Sequence, residues 1–128
     1  MRYLPDTHLL LWAGQEPERL SSAARELIGS KRNTLFFSAA SLWEIAIKAS
    51  LKRRDFEIDP REFHRQLLAN NYVELPVTAA HAVTFRSLKP RHQDPFDRML
   101  LAQAMHEKLT LITADRVLGG YDGPVLHV

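Results

Sequence analysis

Short apolar runs alternate with longer helical patterns along the whole chain, and this alternation is the feature that most constrains the fold. Strands alternating with helices of this length favour a parallel sheet covered by helices on both faces. We therefore expect an α/β fold, a three-layer α/β/α sandwich with a central, mostly parallel sheet. The strands are predicted at Arg2 to Leu4, Leu35 to Phe37, Tyr72 to Leu75, Thr110 to Thr113 and Val125 to Val128.

Apolar residues recurring every three or four positions predict the helices. The stretch SAASLWEIAIKASLK, residues 38 to 52, is apolar over most of its circumference and should be buried. The stretch DPFDRMLLAQAMHEK, residues 94 to 108, has the strongest pattern. Further helices are predicted at 17–31, 59–71 and 78–88, with a short one at 115–120. At 128 residues, we expect a single domain spanning 1–128.

Composition excludes several kinds of chemistry. The chain has no cysteine, so it offers no disulfide, thiolate zinc site or cysteine nucleophile. No apolar run approaches the roughly 20 residues that span a bilayer, and the N-terminal stretch turns polar too early for a signal peptide, so we expect a cytoplasmic protein. The net charge of +2 and basic clusters such as Lys52-Arg53-Arg54 tilt mildly toward a polyanionic partner, although each cluster alone is better explained as solvated surface.

Two stretches share the pattern acid, proline, any residue, acid. They are DPRE, from Asp59 to Glu62, and DPFD, from Asp94 to Asp97. Both predict a helix start, because the first aspartate caps the helix, proline suits its first position and the second acid favours the positive end of the helix dipole. Helix capping thus explains each stretch alone, and a functional role for Asp97 needs further support.

That support is a set of four acids predicted at one edge of the sheet. They are Asp6, Glu44, Asp97 and Asp115. Each alone has an ordinary structural explanation, as a cap or as half of an ion pair. Together they cost stability, since like charges a few ångströms apart repel and raise each other's pKa. A hard cation, Mg²⁺ or Mn²⁺, would compensate, and it leaves room for a substrate phosphate.

Glu44 is the most informative of the four, because its helix is too apolar to be a free surface. A glutamate in that setting needs a partner. The residues leave three readings open: an ion pair with Lys48 four residues on, a capping box with Ser41, or a metal ion, which we place first.

The chain resembles the PIN-domain family, and specifically VapC-type toxins of bacterial type II toxin–antitoxin systems. The resemblance rests on four blocks in order, DTH, SLWEIAIK, DPFDRMLLAQA and LITAD, and covers essentially the whole chain. It implies a PIN fold, Mg²⁺-dependent endoribonuclease activity, a VapB-type antitoxin as partner and a homodimer. By position, the resemblance implies that Asp6, Glu44, Asp97 and the more variable Asp115 bind the metal and are catalytic, with Asp94 as a capping or supporting acid.

Other residues near this edge are assigned supporting roles. Thr7 and Thr113 are expected to hydrogen-bond carboxylates or metal-bound water, although ordinary cap or strand roles fit them equally well. Arg98 is a candidate contact to substrate phosphate, with a solvated arginine as the commoner explanation. One residue departs from the family pattern: Pro5 lies in a predicted central strand, where proline is tolerated only if its nitrogen faces no partner.

The mechanism we expect is hydrolysis of an RNA phosphodiester by metal-activated water, which leaves a 5′-phosphate and a 3′-hydroxyl. A histidine-driven transesterase would leave a cyclic phosphate instead, but the six histidines show no paired spacing and no predicted common location. A catalytically weak PIN-like module that binds RNA or protein is a further alternative.

Three enzyme classes are disfavoured by what the sequence lacks. It has no HExxH motif of a metalloprotease and no glycine-rich phosphate loop. His8 occupies the place where a HAD-like phosphatase has its second aspartate.

The early helices are a candidate docking surface for an antitoxin, because they carry more apolar residues than a short amphipathic pair needs, from Leu9 to Trp12 and from Leu20 to Ile28. Core packing explains such residues more often.

Overall fold

The computed structural model of the protein describes residues 1–51, 56–89 and 94–128. Its sheet has five strands in the order β3-β2-β1-β4-β5, and every neighbouring pair is parallel. The elements in chain order are β1 (Arg2–Pro5), α1 (Thr7–Gln15), a 3₁₀ turn (Pro17–Arg19), α2 (Ser22–Gly29), β2 (Thr34–Ser38), α3 (Ala39–Ser50), α4 (Pro60–Ala69), β3 (Val73–Leu75), α5 (Ala79–Phe85), α6 (Pro95–Glu107), β4 (Thr110–Thr113), α7 (Arg116–Gly119) and β5 (Val125–His127).

Helices cover both faces of the sheet, because consecutive strand residues point to opposite sides. On β1, Leu4 packs into a core with α6, whereas Tyr3 packs with α1 and α2 on the other face. On β4, Leu111 and Ile112 divide between the same two cores. The predicted α/β/α sandwich with a parallel sheet is therefore confirmed.

The predicted strands all form, with ends that differ by one residue at most. One helix prediction is wrong: residues 17–31 do not form a continuous helix. The 3₁₀ turn ends at Arg19, and a new helix starts after Ser21, whose hydroxyl accepts the N–H of Ala24 at 3.1 Å. This cap offers the chain a better start than continuing from the turn. The basic cluster Lys52-Arg53-Arg54 lies outside the described residues.

The strand order reverses between β1 and β4, and this position determines where a ligand can bind. The chain runs from β1 through β2 to β3 on one side, then returns to add β4 and β5 on the other. In open parallel sheets, ligands bind at the carboxyl ends of the strands where the order reverses. The helices α1 and α3 begin at this edge, as does α6, which leads back into β4. No helix in the described part of the chain is long and apolar enough to cross a membrane.

Pro5 is the last residue of β1, the central strand. The next N–H, that of Asp6, donates to the carbonyl of Ile112 on β4 at 3.0 Å. Because N–H groups alternate sides along a strand, the nitrogen of Pro5 faces β2, and the pairing of β1 with β2 ends at Tyr3 and Leu35. The proline therefore removes no hydrogen bond that the sheet forms, as its tolerance in this strand requires.

We expect the variant Pro5→Val to change the free energy of unfolding by less than about 1.5 kcal/mol, since it nearly conserves volume and breaks no hydrogen bond. As a matched control, Leu4→Ala should cost about 2–5 kcal/mol, because Leu4 is fully buried. Chemical denaturation of both variants measures these values. A loss at position 5 as large as that at position 4 would contradict this description of the strand end.

Candidate functional site

Asp6 lies directly after β1 and is only 1% exposed. It caps α1, since its Oδ1 accepts the N–H of Leu9 at 2.9 Å. Its Oδ2 accepts the hydroxyl of Thr113, at the end of β4, at 2.5 Å. The carboxylate is thus held by a helix start on one side and by the neighbouring strand on the other, which fixes its orientation.

Burial raises the pKa of Asp6 above its ordinary value, because the charged form loses its solvation. The hydrogen bonds from Thr113 and Leu9 and the nearby His8 lower this pKa, and the charge of Asp115 raises it. The balance is a net increase, so the local groups do not fully compensate the buried negative charge.

Asp115 shares a cleft with Asp6 at the point where the strand order reverses. The cleft has a volume of about 220 Å³ and is also lined by His8, Trp12 and Ala114. Asp115 caps α7 by accepting the N–H groups of Val117 and Leu118, and its own N–H donates to the Thr113 hydroxyl at 3.0 Å. Thr113 therefore links the two acids, donating to one and accepting from the backbone of the other.

Glu44 lies on α3 and is 6% exposed. Its Oε2 pairs with Nζ of Lys48 at 3.2 Å, whereas its Oε1 is buried and has no hydrogen-bond partner among the residues that the structure describes. The ion pair that the sequence left open is therefore real, but it satisfies only half of the carboxylate. The capping box with Ser41 is wrong, because α3 begins earlier, with Ser38 as its cap.

Asp97 lies in the first turn of α6 and is buried. Asp94 caps this helix, accepting the N–H of Phe96 at 2.8 Å and that of Asp97 at 3.3 Å. The ring of Phe96 packs edge-on against Trp43, with centroids 5.2 Å apart. Since Trp43 precedes Glu44 and Phe96 precedes Asp97, this contact holds together the two helix segments that carry these acids.

Two supporting residues have partners other than those expected from the sequence. The hydroxyl of Thr7 donates to the hydroxyl of Ser41 at 2.9 Å, so it contacts α3 rather than a carboxylate. The guanidinium of Arg98 lies over the ring of Phe85, 4.4 Å from the centroid, and its buried Nε has no hydrogen-bond partner among the described residues. Arg98 as a whole is half-buried, and its contact with substrate phosphate stays a prediction. For Thr113, the expected carboxylate contact is present.

The expectation that the histidines share no location is wrong for two of them. The rings of His81 and His106 lie 5.3 Å apart, and Nε2 of His81 lies 2.7 Å from Oε2 of Glu107. These three residues have ligand atoms close enough together to hold a metal ion. His106 and Glu107 lie at the C-terminal end of α6, about 15 Å along the helix axis from Asp97, and His81 on α5 packs against them. His8 lies beside Asp6 and Asp115 at the carboxyl edge of the sheet, which we call the acidic edge. His92 lies outside the described residues.

The position of the ring proton on His81 disfavours a metal ion between His81, His106 and Glu107. The backbone N–H of Thr78 donates to Nδ1 of His81 at 3.0 Å, so Nδ1 is an acceptor and the ring proton is on Nε2. That proton is donated to Glu107. A metal ion on Nε2 would have to displace this proton. The ring would then become an imidazolate, or its Nδ1 would take a proton and lose the hydrogen bond from Thr78 that forms the start of α5. We therefore assign His81 to a buried structural link between α5 and α6.

Asp6 and Asp115 lie together in the cleft at the carboxyl edge of the sheet, whereas Glu44 and Asp97 lie on α3 and α6, two helices that begin at the same edge. Among the described residues, no three of the four acids have ligand atoms close enough together to form a ready-made metal site. The chemistry of this set fits a hard divalent cation, which prefers carboxylate oxygens. Two observations support the fit: the buried, unpartnered Oε1 of Glu44 and the uncompensated burial of Asp6. Sequence reasoning missed Ser38, Ser41 and Gln103, which are buried polar residues near these acids. Their only signal was the presence of polar side chains in helices predicted to be buried.

Comparison with known proteins gives consistent matches. A model of the PIN domain matches residues 3–123. Ribonuclease VapC22 of Mycobacterium tuberculosis is 33% identical over 123 residues, which cover 94% of this chain and 92% of the relative.

Two solved structures share the fold at lower identity. VapBC2 from Rickettsia felis, bound to a promoter DNA fragment, matches with a TM-score of 0.68 and 21% identity over 90% of this chain and 89% of that chain. A toxin–antitoxin complex from Klebsiella pneumoniae matches with a TM-score of 0.67 and 17% identity over 97% of this chain and 95% of that chain. The domain match over most of the chain and the identity to a full-length relative show that this protein belongs to the PIN-domain family.

Proposed function

We propose that the protein is a Mg²⁺- or Mn²⁺-dependent endoribonuclease, acting as the toxin of a type II toxin–antitoxin system. The observation that carries the proposal is the half-satisfied carboxylate of Glu44 on the apolar helix α3, whose buried Oε1 has no hydrogen-bond partner in the described part of the chain. The protein's membership of the PIN-domain family and its similarity to Ribonuclease VapC22 support RNA as the substrate. The metal dependence of PIN-domain nucleases supports a cation as cofactor.

In this proposal the chain supplies a rigid set of anionic ligands. Asp6, Glu44, Asp97 and Asp115 hold the cation, and Thr113 orients Asp6 by its hydrogen bond. A divalent cation, when bound, activates water as the nucleophile and neutralises charge on the scissile phosphate. Asp94 fixes the first turn of α6 and with it the position of Asp97. Hydrolysis then leaves a 5′-phosphate and a 3′-hydroxyl.

Arg98 is the residue we propose to contact substrate phosphate. Stacking on Phe85 fixes the plane of its guanidinium, and its buried Nε has no hydrogen-bond partner within residues 1–51, 56–89 and 94–128. A guanidinium held in this way is already ordered, which favours hydrogen bonding to phosphate oxygens.

An antitoxin of the VapB type is the partner we propose. The support is that solved structures sharing this fold are toxin–antitoxin complexes. The early helices offer less surface than the sequence suggested, since Leu9 and Leu20 are buried in the core. A cleft of about 320 Å³ remains between these helices and α4, lined by residues that include the partly or fully exposed Gly14, Ile28 and Gln66. We propose this cleft as the docking surface.

Self-association into a homodimer is also proposed. Its support is an exposed apolar row at intervals of four residues, Trp43, Ile47 and Leu51, along α3 and its end. Trp43 is 64% exposed, and it borders an apolar groove of about 470 Å³ between α3 and α6. Exposed apolar rows of this kind mark protein interfaces. The molar mass of the purified protein in solution tests this proposal.

The variant Asp97→Asn should lower metal-dependent RNA cleavage at least about 100-fold, because it removes a charged ligand worth several kcal/mol in the transition state. The matched control is Glu62→Gln, which changes the equivalent position of the other Asp-Pro helix start. Glu62 is exposed and paired with Arg65, so we expect cleavage by this variant to be unchanged. The assay uses purified protein free of antitoxin, labelled structured RNA, and Mn²⁺ or EDTA, with the product ends mapped.

Three results would contradict the proposal. Unchanged cleavage by Asp97→Asn would exclude the acid-bound metal. Cleavage that persists in EDTA and leaves cyclic phosphates would assign the chemistry to histidines. No cleavage of several RNAs by the wild-type protein would favour a module that only binds RNA or protein.

Without metal, the stability of the protein should depend on the protonation of Asp6. Its pKa is raised in the folded state, so the folded protein holds this proton more tightly than the unfolded chain does. The stabilisation from this proton is therefore complete below the ordinary value of 3.8 and is lost as pH rises through the raised folded value. The melting temperature in EDTA, measured from pH 4 to 7, should rise on acidification relative to Asp6→Asn. A difference between the two proteins that does not change with pH would contradict the raised pKa.

A further inference from the structure

Two buried hydrogen bonds join the three helices that carry or follow the acids. The first joins α1 to α3: the hydroxyl of Thr7 donates to Oγ of Ser41 at 2.9 Å. The second joins α6 to Ser38, the residue that ends β2 and caps α3: the hydroxyl of Ser38 donates to Oε1 of Gln103 at 2.5 Å. All four residues are at most 2% exposed. We call these two contacts the interhelical links.

The first link lies close to two of the acids. Thr7 follows Asp6 directly, and Ser41 precedes Glu44 by three residues, which places Ser41 and Glu44 on the same side of α3. A change in the spacing of α1 and α3 would therefore move Asp6 relative to Glu44. The Thr7 to Ser41 bond opposes such a change.

The second link is oriented by a network of buried groups. Oγ of Ser38 also accepts the N–H of Ala40 at 3.0 Å, so one residue both caps α3 and binds α6. The amide of Gln103 donates to the carbonyl of Pro76 at 3.3 Å, and this contact turns Oε1 toward Ser38. The start of α3 is thereby fixed against the helix that carries Asp97.

Apolar packing alone would not determine these spacings so closely. Hydrophobic contacts are non-directional, whereas a hydrogen bond weakens steeply when its distance or angle changes. Buried polar pairs also add little net stability compared with apolar groups of the same shape. Links of this kind are therefore better explained by geometry than by stability.

We propose that Ser41 and Gln103 are positioning residues that set the distances among the metal-binding carboxylates, Ser41 through Thr7 and Gln103 through Ser38. This inference rests on the proposed metal-dependent function. It assigns a role to residues that touch neither substrate nor metal, and it predicts that breaking a link weakens metal binding without unfolding the protein.

The test is the double variant Thr7→Val with Ser41→Ala, which replaces both partners of the first link by apolar groups. We expect its melting temperature without metal to stay near that of the wild type, because neither partner is left unpaired. We expect its Mn²⁺ affinity, measured from free Mn²⁺ by electron paramagnetic resonance, to fall about 10-fold or more. The conservative variant Thr7→Ser retains the donor and should keep most of the affinity.

The matched control is Ser50→Ala on the same helix. The Ser50 hydroxyl donates to the carbonyl of Ile47 within α3 and links no second element, so its removal should leave Mn²⁺ affinity unchanged. Wild-type affinity in the double variant would overturn the positioning role while leaving the metal site intact. A melting temperature that falls with no change in affinity would show that the link is only structural. Failure of the wild-type protein to bind Mn²⁺ would overturn both this inference and the proposed function.

Discussion

The concentration of carboxylates at one edge of the sheet is the constraint on which the rest of the structure depends. Asp6 is buried beside Asp115, and its pKa is raised mainly because burial removes water from its charged form, with a smaller contribution from the charge of Asp115. The fold reduces this cost with the N-termini of helices. Asp6, Asp94 and Asp115 each cap a helix, and Asp97 lies in a first helical turn, where the dipole favours negative charge. Thr113 adds a hydrogen bond that restrains Asp6. What remains uncompensated is the charge that a divalent cation would neutralise in the proposed function.

The helices on which the acids lie are held by two different kinds of contact. Apolar contacts such as Trp43 against Phe96 bring α3 and α6 together. The buried interhelical links add direction and distance. On α3, one oxygen of Glu44 is paired with Lys48, whereas the other is buried and has no hydrogen-bond partner in the described residues. A carboxylate required only for stability would not leave a buried oxygen unpaired, because that costs free energy.

The fold was predictable because its signals are local. Periodicity placed every strand of the sheet, and the Asp-Pro starts at Asp59 and Asp94 both cap helices as expected. The break after Arg19 was missed, because a serine cap competed with a continuous apolar pattern. The sequences of the two Asp-Pro stretches do not show that their second acids differ in burial. Glu62 is exposed and paired with Arg65, whereas Asp97 is buried, and only the tertiary packing distinguishes them.

The site was predictable in its acids and not in its connections. The sequence pattern predicted all four acids at one edge; the structure brings Asp6 and Asp115 into one cleft and places Glu44 and Asp97 on helices that begin at that edge. Their role in binding metal stays a proposal. The partner of Thr7, the contact between Ser38 and Gln103, and the meeting of His81 with His106 depend on residues far apart in the chain. The most direct test is a crystal of the protein soaked in Mn²⁺ and measured for anomalous scattering. We expect an anomalous peak among the carboxylates of Asp6, Glu44, Asp97 and Asp115. A peak at His81, His106 and Glu107 with none at the acidic edge would contradict it.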